Sequence, residues 1–123
     1  MKSVKVSEAE WEVMNLLWRQ SPLSSLDLVK QLSALKSWRS RTIRTLLDRL
    51  VKKGAVGFAH DGRRNLYHPQ LSQTECLRVE SRSFLERVFG GEPGAMLVHL
   101  IQETKLSREE IKKLKQILAE KEK

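Results

Sequence analysis

A chain of 123 residues with a single cysteine, Cys76, can form no internal disulfide and offers no cluster with zinc spacing, yet is long enough to bury a core without either. No apolar run approaches a membrane span, and the first thirteen residues lack the apolar stretch of a signal peptide, so a cytoplasmic protein with no membrane insertion is expected. The formal charge is +8, and residues 36–64 hold nine basic residues against two acids, a balance of +7 that leaves +1 for the other 94 residues. A basic block concentrated in this way suits a polyanion-binding face, because neutralising phosphates releases condensed counterions; a solvated basic helix is the plainer alternative.

In chain order, Ser7-Glu8-Ala9-Glu10 has the form of a capping box, in which a Ser caps the N3 amide while a Glu reaches back. The helix it opens carries Trp11, Met14, Leu17 and Trp18 on one stripe and stops at Gln20-Ser21-Pro22. Ser24-Ser25-Leu26-Asp27 resembles a second cap, followed by Leu28, Val29, Leu32 and Leu35 at helical spacing. A third helix is expected from about Arg39 to Lys53, buried along Ile43, Leu46, Leu47, Leu50 and Val51. Its opposite face presents Arg41, Thr42, Arg44, Thr45, Asp48, Arg49 and Lys52, with Gly54 at the left-handed position after the end. Trp38, just before it, suits either a packing anchor or a DNA contact, and Asp48 is expected to pair locally with Arg44 or Arg49.

The short apolar runs 55–60 and 65–69, joined by Asp61-Gly62-Arg63-Arg64, read as an antiparallel hairpin with a basic tip. Ser72-Gln73-Thr74-Glu75 then opens a helix with Leu77, Phe84, Leu85, Val88 and Phe89, which ends at Gly90-Gly91. Pro93 starts a short helix holding Met96, Leu97, Leu100 and Ile101, and Ser107-Arg108-Glu109-Glu110 caps a last one with Ile111, Leu114, Ile117 and Leu118 along one side. His99, between Val98 and Leu100, reads as a packed or interface histidine.

Helix, helix, basic helix, hairpin is the order of a winged helix-turn-helix, whose second helix of the motif enters the major groove. The expected fold class is therefore mainly α with a small β-hairpin wing. A winged-helix DNA-binding domain would occupy residues 1–70, and a helical dimerisation domain residues 71–123. Arg41 and Arg44 lie in the part of the helix that meets base edges, and Arg can fork onto guanine. Thr42 and Thr45 can donate to phosphate or meet a thymine methyl, whereas Arg49, Lys52 and Lys53 lie later and suit phosphates. Arg63 and Arg64 on the wing suit the backbone or the adjacent minor groove, their plainer role being an exposed basic turn. The dimerisation set is Leu77, Phe84, Leu85, Val88, Met96, Leu97, Leu100, Ile101, Ile111, Leu114, Ile117 and Leu118. No Ser/His/Asp grouping, carboxylate pair or Gly-rich phosphate loop points to an enzyme, and Cys76, His60 and His68 lack metal-ligand spacing, so neither cofactor nor metal is expected. A winged-helix module that binds protein in place of DNA is the alternative reading.

The runs Ser7-Glu-Ala-Glu-Trp-Glu-Val-Met14, Thr42-Ile-Arg-Thr-Leu-Leu47, Arg49-Leu-Val-Lys-Lys-Gly54 and Gly62-Arg63 followed by Tyr67 resemble the penicillinase-repressor family of BlaI and MecI type, to which the CopY copper repressors are related. The similarity continues through Ser83-Phe-Leu-Glu-Arg-Val88 and Leu106-Ser107 with Glu109-Glu-Ile111, and so covers nearly the whole chain. The resemblance implies a homodimeric winged-helix repressor on a pseudo-palindromic, double-stranded operator, commonly of TACA…TGTA character. It places Thr42, Arg44 and Thr45 on the base-reading helix and gives dimerisation to the last three helices. A membrane sensor or protease would be the inducing partner.

Three departures stand out. Arg39-Ser40 replaces the family's usual Ser-Pro, so that either Ser40 caps one residue later or Arg39 adds a phosphate contact. The pair matching the family's cleaved Asn-Phe bond is His99-Leu100, the candidate site of proteolytic inactivation. The tail also lacks the Cys-x-Cys motifs of the copper-responsive relatives, so copper sensing through that motif is not expected.

Overall fold

A computed structural model describes residues 4–123. The elements run α1 (Glu8–Arg19), β1 (Leu23–Ser24), α2 (Ser25–Lys36), α3 (Ser40–Lys53), β2 (Val56–Asp61), β3 (Arg64–Pro69), α4 (Gln73–Phe89), α5 (Pro93–Glu103) and α6 (Arg108–Lys121). Two compact units divide inside α4, after Arg82.

In the first unit, local chemistry sets where each helix begins. Ser7 caps α1 and Ser24 caps α2, each in a reciprocal box with the acid three residues on, Glu10 and Asp27. Ser72 and Glu75 exchange the same pair of bonds at the start of α4. Helix α3 is the exception: its N-cap is Arg39, with no side-chain bond to the first turn. Ser40 is the first helical residue, so the expectation that it caps one residue later is corrected. Gly54 ends α3 at φ 82°, a left-handed conformation that costs a residue without Cβ little.

The apolar stripes meet as periodicity requires. Val13, Met14, Leu16 and Leu17 of α1 pack with Leu28 and Leu32 of α2 and with Ile43, Leu46, Leu47 and Leu50 of α3. Each fully buried side chain of this kind contributes about 1.5–3 kcal/mol. Leu35, expected on the α2 stripe, is instead 67% exposed in the last turn of α2, whose buried residues are Leu28 and Leu32. Trp11 and Trp18 are half-buried against this core and meet edge to face at 5.3 Å. Trp38 also packs against it, which resolves that residue in favour of an anchor, and its carbonyl accepts from the Ser33 hydroxyl.

The sheet has a strand that sequence patterning does not show. Its order is β1-β3-β2, all antiparallel, with Leu23 opposite Tyr67 and Ser24 opposite Leu66. Ser24 thus closes a ladder and caps a helix at once, which joins the start of α2 to the wing strand. Asp61 pairs with Arg64, so the two loop residues are Gly62 and Arg63. Only Gly62, at φ 66°, has a positive φ, the pattern of a turn with Gly at the first central position.

The division after Arg82 differs from the expected boundary at residue 70. Cys76 is 3% exposed and belongs to the first core, and the Trp18 indole N–H donates to the Leu71 carbonyl at 2.9 Å. The opening turns of α4 are therefore bound into the first unit.

The second unit comprises the rest of α4 with α5 and α6. Pro93 begins α5, and Ser107 and Glu110 form the capping box of α6. The Phe84 and Phe89 rings lie 5.9 Å apart, and the exposed His99 ring lies 6.1 Å from Phe89. Neither α5 nor α6 contains a buried residue. Phe84, Leu85, Met96 and Leu114 are half-buried, while Leu97, Val98, Leu100, Ile101, Ile111, Ile117 and Leu118 are 40–54% exposed. No helix among the described residues is long and apolar enough to cross a membrane.

Candidate nucleic-acid interface

Helix α3 is divided sharply between apolar and polar. Ile43, Leu46, Leu47 and Leu50 face inward, which leaves Arg41, Thr42, Arg44, Thr45, Asp48, Arg49 and Lys52 exposed on the opposite side. A helix about 10–12 Å across matches a major groove about 12 Å wide, and residues opposite the buried stripe are those it would present there. Arg41, Arg44, Arg49 and Lys52 form no ion pair among the described residues, so their donors are available to a ligand. Asp48 is likewise exposed and unpaired among those residues, so the expected local pairing with Arg44 or Arg49 is not formed.

The wing carries its two arginines differently. Arg63 is exposed in the loop, whereas the Arg64 guanidinium donates to Asp61 at 3.2 and 3.4 Å. Both partners of that contact are solvent-exposed, and such pairs contribute only about 0–1 kcal/mol, so a phosphate can compete for Arg64. Midway along the hairpin, Phe58 is 44% exposed, with Tyr67 at 5.7 Å and His60 at 5.8 Å between ring centroids. The sequence showed Phe58 only as part of a short apolar run; its half-open aromatic cluster depends on the β2–β3 register.

Arg39 is exposed at the N-cap, where its side chain is free of any capping role. Lys53, expected to grip phosphate, sits elsewhere. Its ammonium donates to the Lys5 carbonyl at 2.9 Å and to the carboxylate of Glu10, which is only 1% exposed. Glu10 had signalled only a capping box; its second role depends on a residue 43 positions away. Lys36, also in the basic block, pairs with Glu12 at 3.0 Å.

The Glu10 carboxyl feels opposing effects. Desolvation is the largest and raises its pKa, but hydrogen bonds from Lys53 and from the Ser7 amide and hydroxyl, with the Lys53 charge, together hold it below the ordinary 4.5. With a lower value folded than unfolded, the unfolded chain takes up the proton first as pH falls. The stabilisation is therefore complete above the ordinary value and is lost as pH drops through the folded one. Glu10→Gln is expected to cost about 1–2 kcal/mol at pH 7, the range for a charged hydrogen bond discounted for the half-open lysine. Melting curves taken from pH 7 down to pH 3 should show the gap between the two proteins narrowing with acidity. A gap that is constant with pH would show that the carboxylate charge plays no part.

Burial pushes the Cys76 thiol up, with the Glu75 charge adding to it, which keeps it protonated and unreactive. Among the described residues no group of three or more His, Cys, Asp or Glu side chains is arranged to hold a metal ion.

The model of the penicillinase repressor family matches residues 6–120. The chain is 38% identical over 121 residues to a penicillinase repressor of Bacillus licheniformis, spanning 98% of this chain and 94% of that one. It is 31% identical over 120 residues to the methicillin resistance regulatory protein MecI of Staphylococcus aureus (strain N315), spanning 98% of each. A solution structure of monomeric Bacillus licheniformis BlaI in complex with the blaP half-operator is similar at TM-score 0.54 and 36% identity, over 60% of this chain and 90% of that one.

Proposed function

The chain belongs to the penicillinase repressor family, and from that membership we propose that it is a sequence-specific transcriptional repressor that lays α3 in the major groove of its operator. The observation that carries this is the exposed, unpaired set Arg41, Arg44, Arg49 and Lys52 on the face of α3 opposite its buried stripe, with Thr42 and Thr45 among them. Arg44, Thr42 and Thr45 read bases, and Arg41 joins them at the helix start. Arg49 and Lys52 hold phosphates, as do Arg39 at the N-cap and Arg63 and Arg64 on the wing. Lys53 is not in this set, because Glu10 holds its ammonium. The relative bound to a half-operator supports this docking, since it matches 60% of the chain at 36% identity.

The same reading makes the protein a homodimer. The aliphatic side chains of α5 and α6 are exposed among the described residues, and a second copy would bury them. Two-fold symmetry then requires a pseudo-palindromic operator with half-sites about one helical turn apart. Occupying such a site within a promoter would keep polymerase off an inducible gene. An inducing protease, answering to a membrane sensor, would act in α5 at His99–Leu100, both of which are exposed, and would sever the dimerising helices from one another.

The test is fluorescence anisotropy of labelled duplex from upstream of the chain's own gene, against a scrambled duplex, across a salt series. Tight binding that prefers the upstream DNA and falls steeply with salt is expected. Equal, weak binding to both would leave only a basic surface and turn attention to protein partners.

A further inference from the structure

Helix α3 is held unequally at its two ends. At its start, Arg39 supplies no side-chain cap and the first turn holds no acid. At its end, Gly54 closes the helix, the Ala55 amide donates to the Leu50 carbonyl, and Lys53 reaches across to α1. There its ammonium meets the Lys5 carbonyl and the buried Glu10 carboxylate, whose Oε1 also accepts the Ser7 amide at 2.8 Å. Oε2 of Glu10 is buried without a hydrogen bond among the described residues, so Lys53 is the one cation that balances this charge there.

From this arrangement we infer that Glu10 and Lys53 are positioning residues for DNA reading, which set the direction of the recognition helix without touching DNA. The inference rests on the repressor reading above. Lys53 lies eight residues beyond Thr45, which at the helical rise is about 12 Å. A tilt of about 5° about the C-terminal end therefore moves the base-reading residues by about 1 Å, twice the tolerance of about 0.5 Å for a productive contact. Hydrophobic packing along Ile43, Leu46, Leu47 and Leu50 resists translation of α3, but such packing is non-directional. The directional side-chain bonds at this end run from Lys53 to the Glu10 carboxylate and to the Lys5 carbonyl, and only the first carries opposite charge.

The prediction has an unusual sign. Replacing an acid in a DNA-binding protein ordinarily tightens its hold on any duplex, because the net charge becomes more positive. Here Glu10→Gln removes the charge that holds Lys53 and should lower the preference for operator over scrambled duplex about tenfold, the size of one lost base contact, while binding to scrambled DNA does not weaken. The experiment is anisotropy on the upstream and scrambled duplexes across a salt series, with the full chain and the variants Glu10→Gln, Lys53→Met, Lys53→Arg and Lys52→Met, each checked for folding by circular dichroism. Lys53→Met should lose the preference with an unchanged salt slope, and Lys53→Arg, which keeps the cation, should recover it. Lys52→Met should lower the slope by about one, as loss of a phosphate contact does.

If Glu10→Gln does not fold, the lysine pair carries the same comparison. A folded Glu10→Gln or Lys53→Met with the native preference would overturn the inference. So would a slope for Lys53→Met reduced as in Lys52→Met, which would make Lys53 a phosphate contact. A native chain with no preference for the upstream duplex would overturn the repressor reading itself, and this inference with it.

Discussion

The double variant Ile101→Asp with Leu118→Asp is expected to sediment as a monomer and to lose about 10²–10⁴-fold in affinity for a full inverted-repeat operator, while binding one half-site as well as the native chain does. Both side chains are already 44% and 52% exposed, so a carboxylate there is solvated in the single chain. In a dimer it would be enclosed by aliphatic neighbours, where an unpaired charge cannot be accommodated. The large factor arises because two linked recognition helices make the second docking event intramolecular, and this advantage disappears when the link is lost. Equal losses on half-site and full-site duplexes would show that the substitutions had damaged the DNA-binding unit. A variant that remains dimeric would place the pairing surface elsewhere. Sedimentation velocity combined with anisotropy on duplexes of both kinds separates these outcomes.

Arg44→Ala should reduce discrimination between operator and scrambled DNA by about 1–3 kcal/mol, a factor of roughly 5 to 150. Arg44 lies on the open face of α3, one residue beyond Ile43, which is fully buried and anchors that turn. Truncating it therefore removes donors without opening a cavity. A guanidinium forked onto a base is lost only where that base is present, so the operator should suffer and the scrambled duplex should not. Lys52→Ala should behave in the opposite way, weakening both duplexes alike and lowering the salt slope by about one. If Arg44→Ala also weakened both alike, Arg44 would be a phosphate contact, and base reading would fall to Arg41 and the threonines.

Much of the fold was legible because its signals are short in range. The boxes at Ser7, Ser24, Ser72 and Ser107 each join residues three apart, and all four are formed. The α3 stripe and the left-handed Gly54 follow from helical periodicity and from glycine's missing Cβ. Strand β1 was not legible, since two residues, one of which caps a helix, carry no alternation. Leu35 misled for a related reason: its spacing is right for the stripe, but burial depends on whether a neighbouring element reaches that far.

At the interface, the sequence by itself determined which side chains face outward. Once Ile43, Leu46, Leu47 and Leu50 are buried, Arg41, Arg44, Arg49 and Lys52 have no other side to occupy, because 3.6 residues per turn fixes their relative angles. It also determined that the positive charge lies in one block, and it held the motifs of the repressor family. Only the tertiary structure decided which of those cations remain free. Lys52 and Lys53 are neighbours of the same type, yet one is open and the other is held by Glu10, 43 positions away in the chain. Likewise Cys76 fell within the expected dimerisation domain, residues 71–123, and contact with the first core claimed it. Helical phase is set by bonds within a few residues, so it can be read along the chain. Pairing between distant charges and burial of a boundary helix depend on contacts that exist only after the elements have packed.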